Sequence, residues 1–447
     1  MSFSPAEAER VPLKRAIGPK LLILFVVGDI LGTGVYALTG KVAGKVGGAL
    51  WMPFLFGFII AALTAMSYVE LVTKYPRAAG AALYTQRAFK VPFLTFMVAF
   101  AVMCSGLTSA SAAARAIGGD YLKAFVTLPG VVVGIIFIVG VALLNYRGVS
   151  ESVKTNIVFT LIELSGLIVI IIIGVYAVTT GAGEPSRLTE IRADEAGGLM
   201  LALLGSTALA FFAFVGFEDS VNMAEETTDP SRSFPRAIFL GVAITSTVYI
   251  LVAITSSLLV DYRVLEKSSG PLLEVVKAGG ISFPPQLFAA IAMVAVANSA
   301  LINMMMASRL VYGLANERVV PRPLAWVDPR RQTPVIGILF TTALAIALIS
   351  TGEIAGLGDT TAFLLLCVFT VVNIAVLVLR KDTVEHAHYR APTVMPVLGA
   401  ILAFVLASPL TGRPAEVYIR AGVLLGVGLL LWVVNWLVMR RHQHAAP

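Results

Sequence analysis

LLILFVVGDILGTGVYALTG, which runs from Leu21 to Gly40, is apolar enough to cross a membrane but is interrupted near its middle by Gly32, Thr33 and Gly34. Glycine weakens a helix by about 1 kcal/mol relative to alanine. Because lipid cannot satisfy free backbone groups, we expect this break to be buried in protein or to line a water-filled cavity. Unwinding would free N–H groups that bind an anion and C=O groups that bind a cation. The alternative is that the two glycines only let a neighbouring helix approach closely.

The remainder of the chain consists largely of further apolar runs. Of its 447 residues, 58% are hydrophobic and 13% are charged, and many runs approach the roughly 20 residues that cross a bilayer. We therefore predict an all-α polytopic membrane protein with twelve transmembrane helices and no soluble domain. Their predicted positions are about 18–46, 49–73, 82–117, 130–147, 152–179, 197–226, 236–260, 286–316, 334–351, 360–380, 394–410 and 416–439.

Basic residues are concentrated on one side of this arrangement. With the N-terminus inside, most of the 33 Lys and Arg residues fall in inner segments or at inner helix ends, as the positive-inside rule requires. The sequence thus predicts a multi-pass protein of the cell membrane, plasma or bacterial inner, with both termini in the cytoplasm. The first span is expected to act as its own insertion signal. The basic excess then reflects topology in a lipid bilayer, and no nucleic acid partner is indicated.

A second interruption lies in span six. Its sequence ALAFFAFVGFEDSVNMAEETTDPSRSFPR (208–236) loses apolar continuity after Phe214–Phe217 and becomes acidic. We expect helix to resume there as an amphipathic, cytoplasm-facing half. Spans one and six are five apart, which places the two halves in opposite orientations, the inverted-repeat pattern of secondary transporters. The predicted segments are a cytoplasmic start (1–17), a transporter core (18–380, with halves 18–179 and 197–380), two appended helices (394–439) and a cytoplasmic tail (440–447).

Three motifs carry a family resemblance. GDILGTGVYALTGKVAG (28–44) resembles the G-x-G-V/I-F signature of amino acid permeases of the amino acid, polyamine and organocation superfamily. The span-six stretch is similar to that family's motif with paired glutamates, and ASRLVYGLANERVVP (307–321) resembles its S-R-x-x-Y-x-x-A stretch. The resemblance, strongest to the cationic amino acid transporter branch, implies five plus five inverted spans with two appended ones. It also implies that the two breaks bind the substrate's α-carboxylate and α-amine.

The predicted substrate-binding residues follow from the two breaks. Freed N–H groups around Thr33 and Gly34 should bind a carboxylate, and freed carbonyls near Phe212–Val215 should bind an ammonium. The aromatic side chains offer surface for apolar groups and for cations, and one of them is expected to close the outer gate. We predict a neutral or cationic amino acid as substrate, with a polyamine or other organic amine as the alternative. The complete set is Ile30, Gly32, Thr33, Gly34, Phe211, Phe212, Ala213, Phe214, Val215 and Gly216.

Two acids inside spans are candidates for ion coupling. Glu163 stands in span five where many relatives place a lysine, and Asp29 stands where relatives commonly carry a small residue. An intramembrane charge costs about 2.5 to 3.5 kcal/mol even on lenient scales, so such acids are functional candidates. Glu163 is interpreted as a proton carrier or as a structural glutamate. Asp29 would hold a proton or a cationic substrate group, or cap free N–H groups. Glu218 and Asp219 are expected to meet cytoplasmic water.

Span eight adds Ser299 and Asn303, which share a helix face at i and i+4. They are predicted either to ligate a small ion beside the carbonyls of span one or to make packing hydrogen bonds. Protons are the favoured coupling ion, and sodium is the alternative. Cys104 and Cys367 both fall in apolar spans, so no disulfide, metal site or cofactor is indicated.

The function predicted from these features is secondary active transport of amino acids, by proton-coupled symport with alternating access. Exchange of one solute for another is the alternative. The sequence contains no phosphate-cradling loop and no nucleophile elbow, so neither an enzyme nor ATP-driven transport is indicated. A channel or a membrane receptor is less favoured, because a channel would present a symmetric filter or a ring of like residues.

Overall fold

The computed structural model describes residues 17–77, 80–147, 152–192, 197–225, 227–316, 320–331 and 333–444. These residues are almost entirely helical, and extended pairing among them is limited to the isolated bridges Ile17–Thr227 and Gly47–Ile191. Residues 1–16 of the predicted N-terminal segment and 445–447 of the predicted tail lie outside the described residues.

Sixteen α-helices are formed by the described residues. They are α1 (Pro19–Ile30), α2 (Thr33–Val46), α3 (Trp51–Lys74), α4 (Gly80–Phe89), α5 (Pro92–Ala116), α6 (Gly130–Arg147), α7 (Ser152–Thr180), α8 (Leu199–Ala210), α9 (Pro230–Leu259), α10 (Tyr262–Lys267), α11 (Pro271–Ala278), α12 (Pro285–Asn316), α13 (Val335–Thr351), α14 (Ile354–Leu379), α15 (Val394–Ala407) and α16 (Ala415–His444).

Ten helical segments in the described part of the chain are long and apolar enough to cross a membrane. α1 and α2 together form one of them, and α8 with the turns that follow it forms another. Two shorter apolar helices, Val335–Thr351 and Val394–Ala407, fall at the predicted positions of spans nine and eleven. The all-helical, polytopic prediction is therefore confirmed at the level of an integral membrane protein.

The predicted connection between spans seven and eight is helical. Residues 261–285 contain α10 and α11, and α10 packs against α2 at Gly40 and Gly44. A Cβ built at Gly40 would lie 2.0 Å from the Leu265 carbonyl oxygen, so the close approach of the two backbones requires glycine there. Lys41 fixes the crossing, because its ammonium donates to the carbonyl of Glu266.

Span six differs from the prediction beyond its break. The described residues 217–225 and 227–229 form no α-helix, and the chain instead makes a short 3₁₀ turn over Asp219–Met223 before α9 begins at Pro230. Hydrogen bonds from Asp219 N–H to the Gly216 carbonyl and from Ala224 N–H to the Val221 carbonyl keep this segment in tight turns. Such i→i+3 bonds favour short pieces over a continuous helix.

The last helix also exceeds its predicted length. α16 continues to His444, past the predicted end of span twelve at residue 439. The residues from Arg440 to His444 include neither Gly nor Pro, so nothing in the local sequence ends the helix.

Candidate substrate site between two interrupted helices

The first break separates α1 from α2 at Leu31 and Gly32. Leu31 is extended, with φ −62° and ψ 150°, and Gly32 has φ 145° and ψ −140°. Residues with a Cβ rarely adopt that second conformation, so glycine is what lets the chain leave one helix and enter the next. The interruption predicted from the sequence is therefore present.

The second break follows α8. A 3₁₀ turn over Phe211–Phe214 ends at Val215, which is extended, and Gly216 then has φ 131°. α8 thus ends within the stretch where the sequence predicts a break. Here too a glycine adopts a backbone conformation that residues with a Cβ rarely adopt.

The two breaks lie against each other. A Cβ built at Gly216 would stand 2.5 Å from the Asp29 carbonyl oxygen and 2.9 Å from the Ile30 nitrogen. A Cβ at Gly34 would stand 2.5 Å from Cα of Ala213. The glycines at both breaks therefore serve two purposes, because they release the helix and also permit backbone-to-backbone contact between spans one and six.

A cavity of about 30 Å³ lies where the breaks meet. It is large enough for ordered water, and its wall is mainly polar. Its lining residues are Asp29, Ile30, Leu31, Thr33, Gly34, Ser109, Phe212, Val215, Gly216, Asp219, Ser299 and Asn303. We call this space the break cavity.

Several backbone groups freed by the first break have partners. The Thr33 N–H donates to Ser299 Oγ at 3.3 Å, and the Tyr249 hydroxyl donates to the Ile30 carbonyl at 2.7 Å. The Asn303 side-chain amide donates to the Ser299 carbonyl at 2.9 Å, which holds the two predicted polar residues of α12 together. The long Thr33–Ser299 bond is the weakest of these by distance.

The second break has a partner close in sequence. The Gly216 N–H donates to Oε2 of Glu218 at 2.8 Å, and Glu218 is 6% exposed. Asp219 lines the break cavity. The expectation that Glu218 meets cytoplasmic water is therefore wrong, because the tight turn after the break directs its carboxylate back to Gly216. Asp219 is half-buried.

Glu163 is fully buried beside the first break. Its exposed fraction is 0%, and neither carboxylate oxygen has a hydrogen-bond partner among the described residues. Oε1 lies 3.5 Å from the point where a Cβ at Gly32 would stand. The Glu163 backbone carbonyl accepts a hydrogen bond from the Tyr36 hydroxyl at 2.6 Å, which attaches α7 to α2.

Some predicted binding residues do not reach the break cavity. The Phe211 ring packs against Phe369 at 5.9 Å between centroids, and the Phe214 ring packs against Tyr249 at 5.6 Å. Both rings are buried in the core. Gly32 and Ala213 pack against neighbouring helices, and they too are not among the residues that line the break cavity. Of the three predicted aromatic residues, Phe212 is the one on the cavity wall.

Sequence reasoning did not identify Leu31, Ser109 and Tyr249 as part of this region. Ser109 lies in a run of small and hydroxyl residues on span three, which is also typical of close helix packing. Tyr249 is a phenol in an otherwise apolar stretch of α9, and buried phenols usually find a hydrogen-bond partner. The need of a buried phenol for a hydrogen-bond partner could have identified Tyr249 from the sequence. It could not have identified the carbonyl that accepts from the hydroxyl.

A second cavity, of about 50 Å³, adjoins the first. The two share Val215, Asp219 and Asn303. The second cavity lies nearer the end of the bundle where α1 and α5 begin, because its α5 residues precede Ser109 in the chain. We call it the side cavity, and its remaining lining is Val102, Met103, Ser105, Gly106, Glu218, Asn222, Met306, Ala307 and Leu310.

The opposite end of the bundle is fastened by polar contacts. The Tyr121 hydroxyl donates to the Tyr36 carbonyl at 2.6 Å, which attaches the end of α5 to α2. Asp359 on α14 accepts from Lys45 at 3.2 Å and from the buried Arg413 at 3.3 Å. These contacts hold α2 against its neighbours on the side away from the side cavity.

Two interrupted helices that meet at a polar cavity inside a helical membrane protein are the architecture of a secondary transporter. Residues 17–425 match the amino acid permease family model, and the chain belongs to that family. This agrees with the resemblance seen in the three sequence motifs.

Individual relatives are transporters. An uncharacterized transporter of Mycobacterium tuberculosis is 27% identical over 98% of this chain and 95% of its own length. The branched-chain amino acid permease BcaP of Bacillus subtilis is 24% identical over 96% of this chain and 94% of its own length. The vacuolar cationic amino acid transporter 4 of Arabidopsis thaliana is 29% identical over 80% of this chain and 62% of its own length. Family and relatives together indicate a transporter and not an enzyme.

Proposed function

We propose that this protein is a secondary active transporter that imports amino acids by proton-coupled symport with alternating access. The observation that carries the proposal is the contact between two glycine-dependent breaks at a polar cavity within the bundle. In this proposal the chain has twelve spans, five plus five in inverted repeat and two appended. Both termini face the cytoplasm of a cell whose plasma or inner membrane it crosses.

The α-amino acid would bind across the two breaks. Its carboxylate takes the N–H groups of Thr33 and Gly34 at the start of α2, displacing the long hydrogen bond from Thr33 to Ser299. Its ammonium takes carbonyls at the end of α8, in the stretch Phe212–Val215, where the helix ends and the Val215 N–H makes only a long bond of 3.3 Å to the Phe212 carbonyl. A substrate held this way bridges spans one and six, so binding energy is available to move one against the other.

Alternating access would open the two ends of the site in turn. The α2 end is fastened by the Tyr121–Tyr36 bond and by the Lys45–Asp359 pair. The side cavity extends from the site toward the end where α1 begins. With the N-terminus in the cytoplasm, this is a conformation closed to the outside, and rocking of one helix bundle would open the α2 end.

Glu163 is the proposed proton carrier. Its carboxylate is buried beside the first break without a hydrogen-bond partner among the described residues, so it has no permanent counter-charge there to keep it ionised. Loading and unloading of a proton at this position would change the charge next to Gly32 and thereby couple the first break to the pH gradient. Asp29, with Oδ2 equally unpartnered within the described chain, is the second coupling candidate.

The test is uptake into proteoliposomes with an imposed pH gradient. The purified protein should accumulate an amino acid when the outside is acidic, and one pH unit should support about tenfold accumulation for each proton transported. Glu163→Gln should retain binding and equilibrate the substrate but lose accumulation. Glu274→Gln, the same change at a half-buried glutamate of α11 that pairs with Lys277 and lines neither cavity, is the matched control and should accumulate substrate as wild type does.

Other outcomes would select other functions. Uptake that requires sodium at fixed pH would refute proton coupling and assign the ion role to Ser299 and Asn303. Solute exchange without net uptake would favour an exchanger. Non-saturable flux without counterflow would refute a carrier and favour a channel. Saturable uptake of amines but of no amino acid would indicate an organic amine transporter.

A further inference from the structure

The neck between the two cavities contains a carboxylate that the proposed transport cycle does not use. Asp219 lines both the break cavity and the side cavity, together with Val215 and Asn303. A ligand whose amino acid group is held at the breaks can extend into the side cavity only past these three residues. Asp219 is therefore placed to meet the substrate side chain, and not its α-carboxylate or α-ammonium.

The charge in this region is unbalanced. Asp29, Glu218 and Asp219 line the two cavities, and no Lys, Arg or His is among the described lining residues. One oxygen of Glu218 already accepts from the Gly216 N–H. The Asp219 carboxylate receives no hydrogen bond or ion pair from the residues that the structure describes, in contrast to its neighbour. Asp219 is half-buried, and a carboxylate with restricted access to water gains from a compensating cation or donor.

A second observation indicates that the space receives a ligand. Thr33 lines the break cavity and is 2% exposed, yet its hydroxyl has no hydrogen-bond partner among the described residues. Buried hydroxyls that stay unpaired are uncommon in native proteins. A polar group arriving in the break cavity would satisfy it.

The wall of the side cavity defines the rest of the ligand. Val102, Met103, Met306 and Leu310 present apolar surface, and methionine adapts readily to the shape of what it contacts. A chain of methylene groups fits such a wall, whereas a second carboxylate would stand against Asp219 and Glu218.

We propose that Asp219 is a specificity-determining residue, which selects amino acids whose aliphatic side chain ends in a positively charged group. The proposal rests on the proposed function, because it assumes that the α-amino acid group is held at the two breaks. The methylene groups pass the neck and lie along the apolar wall of the side cavity, and the terminal cation pairs with Asp219, which lines that cavity too, with Asn303 beside it.

The test compares lysine with norleucine, its neutral analogue of equal chain length, in proteoliposome uptake. Wild-type protein should take up lysine with an apparent affinity at least tenfold higher than that for norleucine. Asp219→Asn should lower the apparent affinity for lysine at least tenfold and leave that for norleucine within about twofold. Asp229→Asn, the same change at an exposed carboxylate outside the lining of both cavities, is the control and should preserve the preference for lysine.

The possible failures are distinguishable. Equal loss of both substrates in Asp219→Asn, or norleucine uptake by a wild-type protein that rejects lysine, would overturn the role of Asp219 and leave amino acid transport intact. Uptake of no amino acid by the wild type would instead refute the proposed function, and this inference with it. If Asp219→Asn does not fold, Asp219→Ser and thermal-shift binding of the same two ligands give the same comparison, and an unchanged preference there also overturns the proposal.

Discussion

Gly34→Ala is the smallest change that should separate the two breaks. The added Cβ would lie 2.5 Å from Cα and 2.8 Å from Cβ of Ala213, whereas ordinary contact begins at 3.4 Å. The nearer atom belongs to the backbone, so α2 and the second break must move apart by about 0.9 Å. Overpacking of this kind costs about 1 to 3 kcal/mol.

The strain introduced by Gly34→Ala should weaken substrate binding. In the proposed binding mode the N–H groups of α2 hold the carboxylate and the carbonyls of the second break hold the ammonium, so widening the Gly34–Ala213 contact should weaken binding to both. If the full penalty appears in binding, apparent affinity should fall between about 5-fold and 150-fold. The assay is the concentration dependence of uptake into proteoliposomes, with the amount of inserted protein measured in parallel.

The matched control is Gly140→Ala. Gly140 also lies inside a helix, α6, but no atom lies within 4 Å of its added Cβ. This variant should take up substrate as wild type does. Normal apparent affinity in Gly34→Ala, with the protein inserted and folded, would refute the assignment of the substrate site to these two breaks.

Three further changes test how the site is held in place, each through the melting temperature of the purified protein and through uptake. Tyr249→Phe removes the hydroxyl that donates to the last carbonyl of α1, so we expect a loss of about 1 to 3 kcal/mol and weaker uptake; unchanged uptake would show that this bond does not position the break. Asp359→Asn leaves the buried Arg413 without its counter-charge and should lower stability by about 3 to 5 kcal/mol; an unchanged melting temperature would contradict this. Glu70→Gln breaks a two-pronged pair with Arg380 and should also destabilise the protein. Hydrogen bonding to Glu70 raises the pKa of Arg380, so the guanidinium is charged at every working pH and the loss should be the same at about pH 6 and about pH 8; a pH-dependent loss would argue against this pair.

The positions of the two breaks could be predicted because the local sequence determines them. Gly32 and Gly216 adopt φ angles of 145° and 131°, which side chains with a Cβ rarely adopt. A helix break at such a glycine inside an apolar run can therefore be predicted without knowing what packs against it. That the chain is a membrane protein could likewise be predicted from its composition and from the length of its apolar runs. Every helix that crosses a bilayer must be apolar over roughly 20 residues.

The side chains around the breaks were only partly predictable. Glu218 was expected in water but is buried, because the chain after Gly216 makes tight turns where an α-helix was expected. Phe211 and Phe214 were expected at the substrate but pack in the core, because the 3₁₀ turn that precedes the break directs their rings against Phe369 and Tyr249.

The sequence by itself determined which segments are long and apolar enough to cross a membrane and where two of them unwind, because helix propensity, hydropathy and glycine geometry act over a few neighbouring residues. Tertiary structure alone decided which groups meet at the site. Tyr249 reaches the Ile30 carbonyl across 219 positions, and Ser299 reaches the Thr33 N–H across 266. Partners so distant in the chain are selected by how the helices pack, a property of the whole bundle that no local pattern specifies.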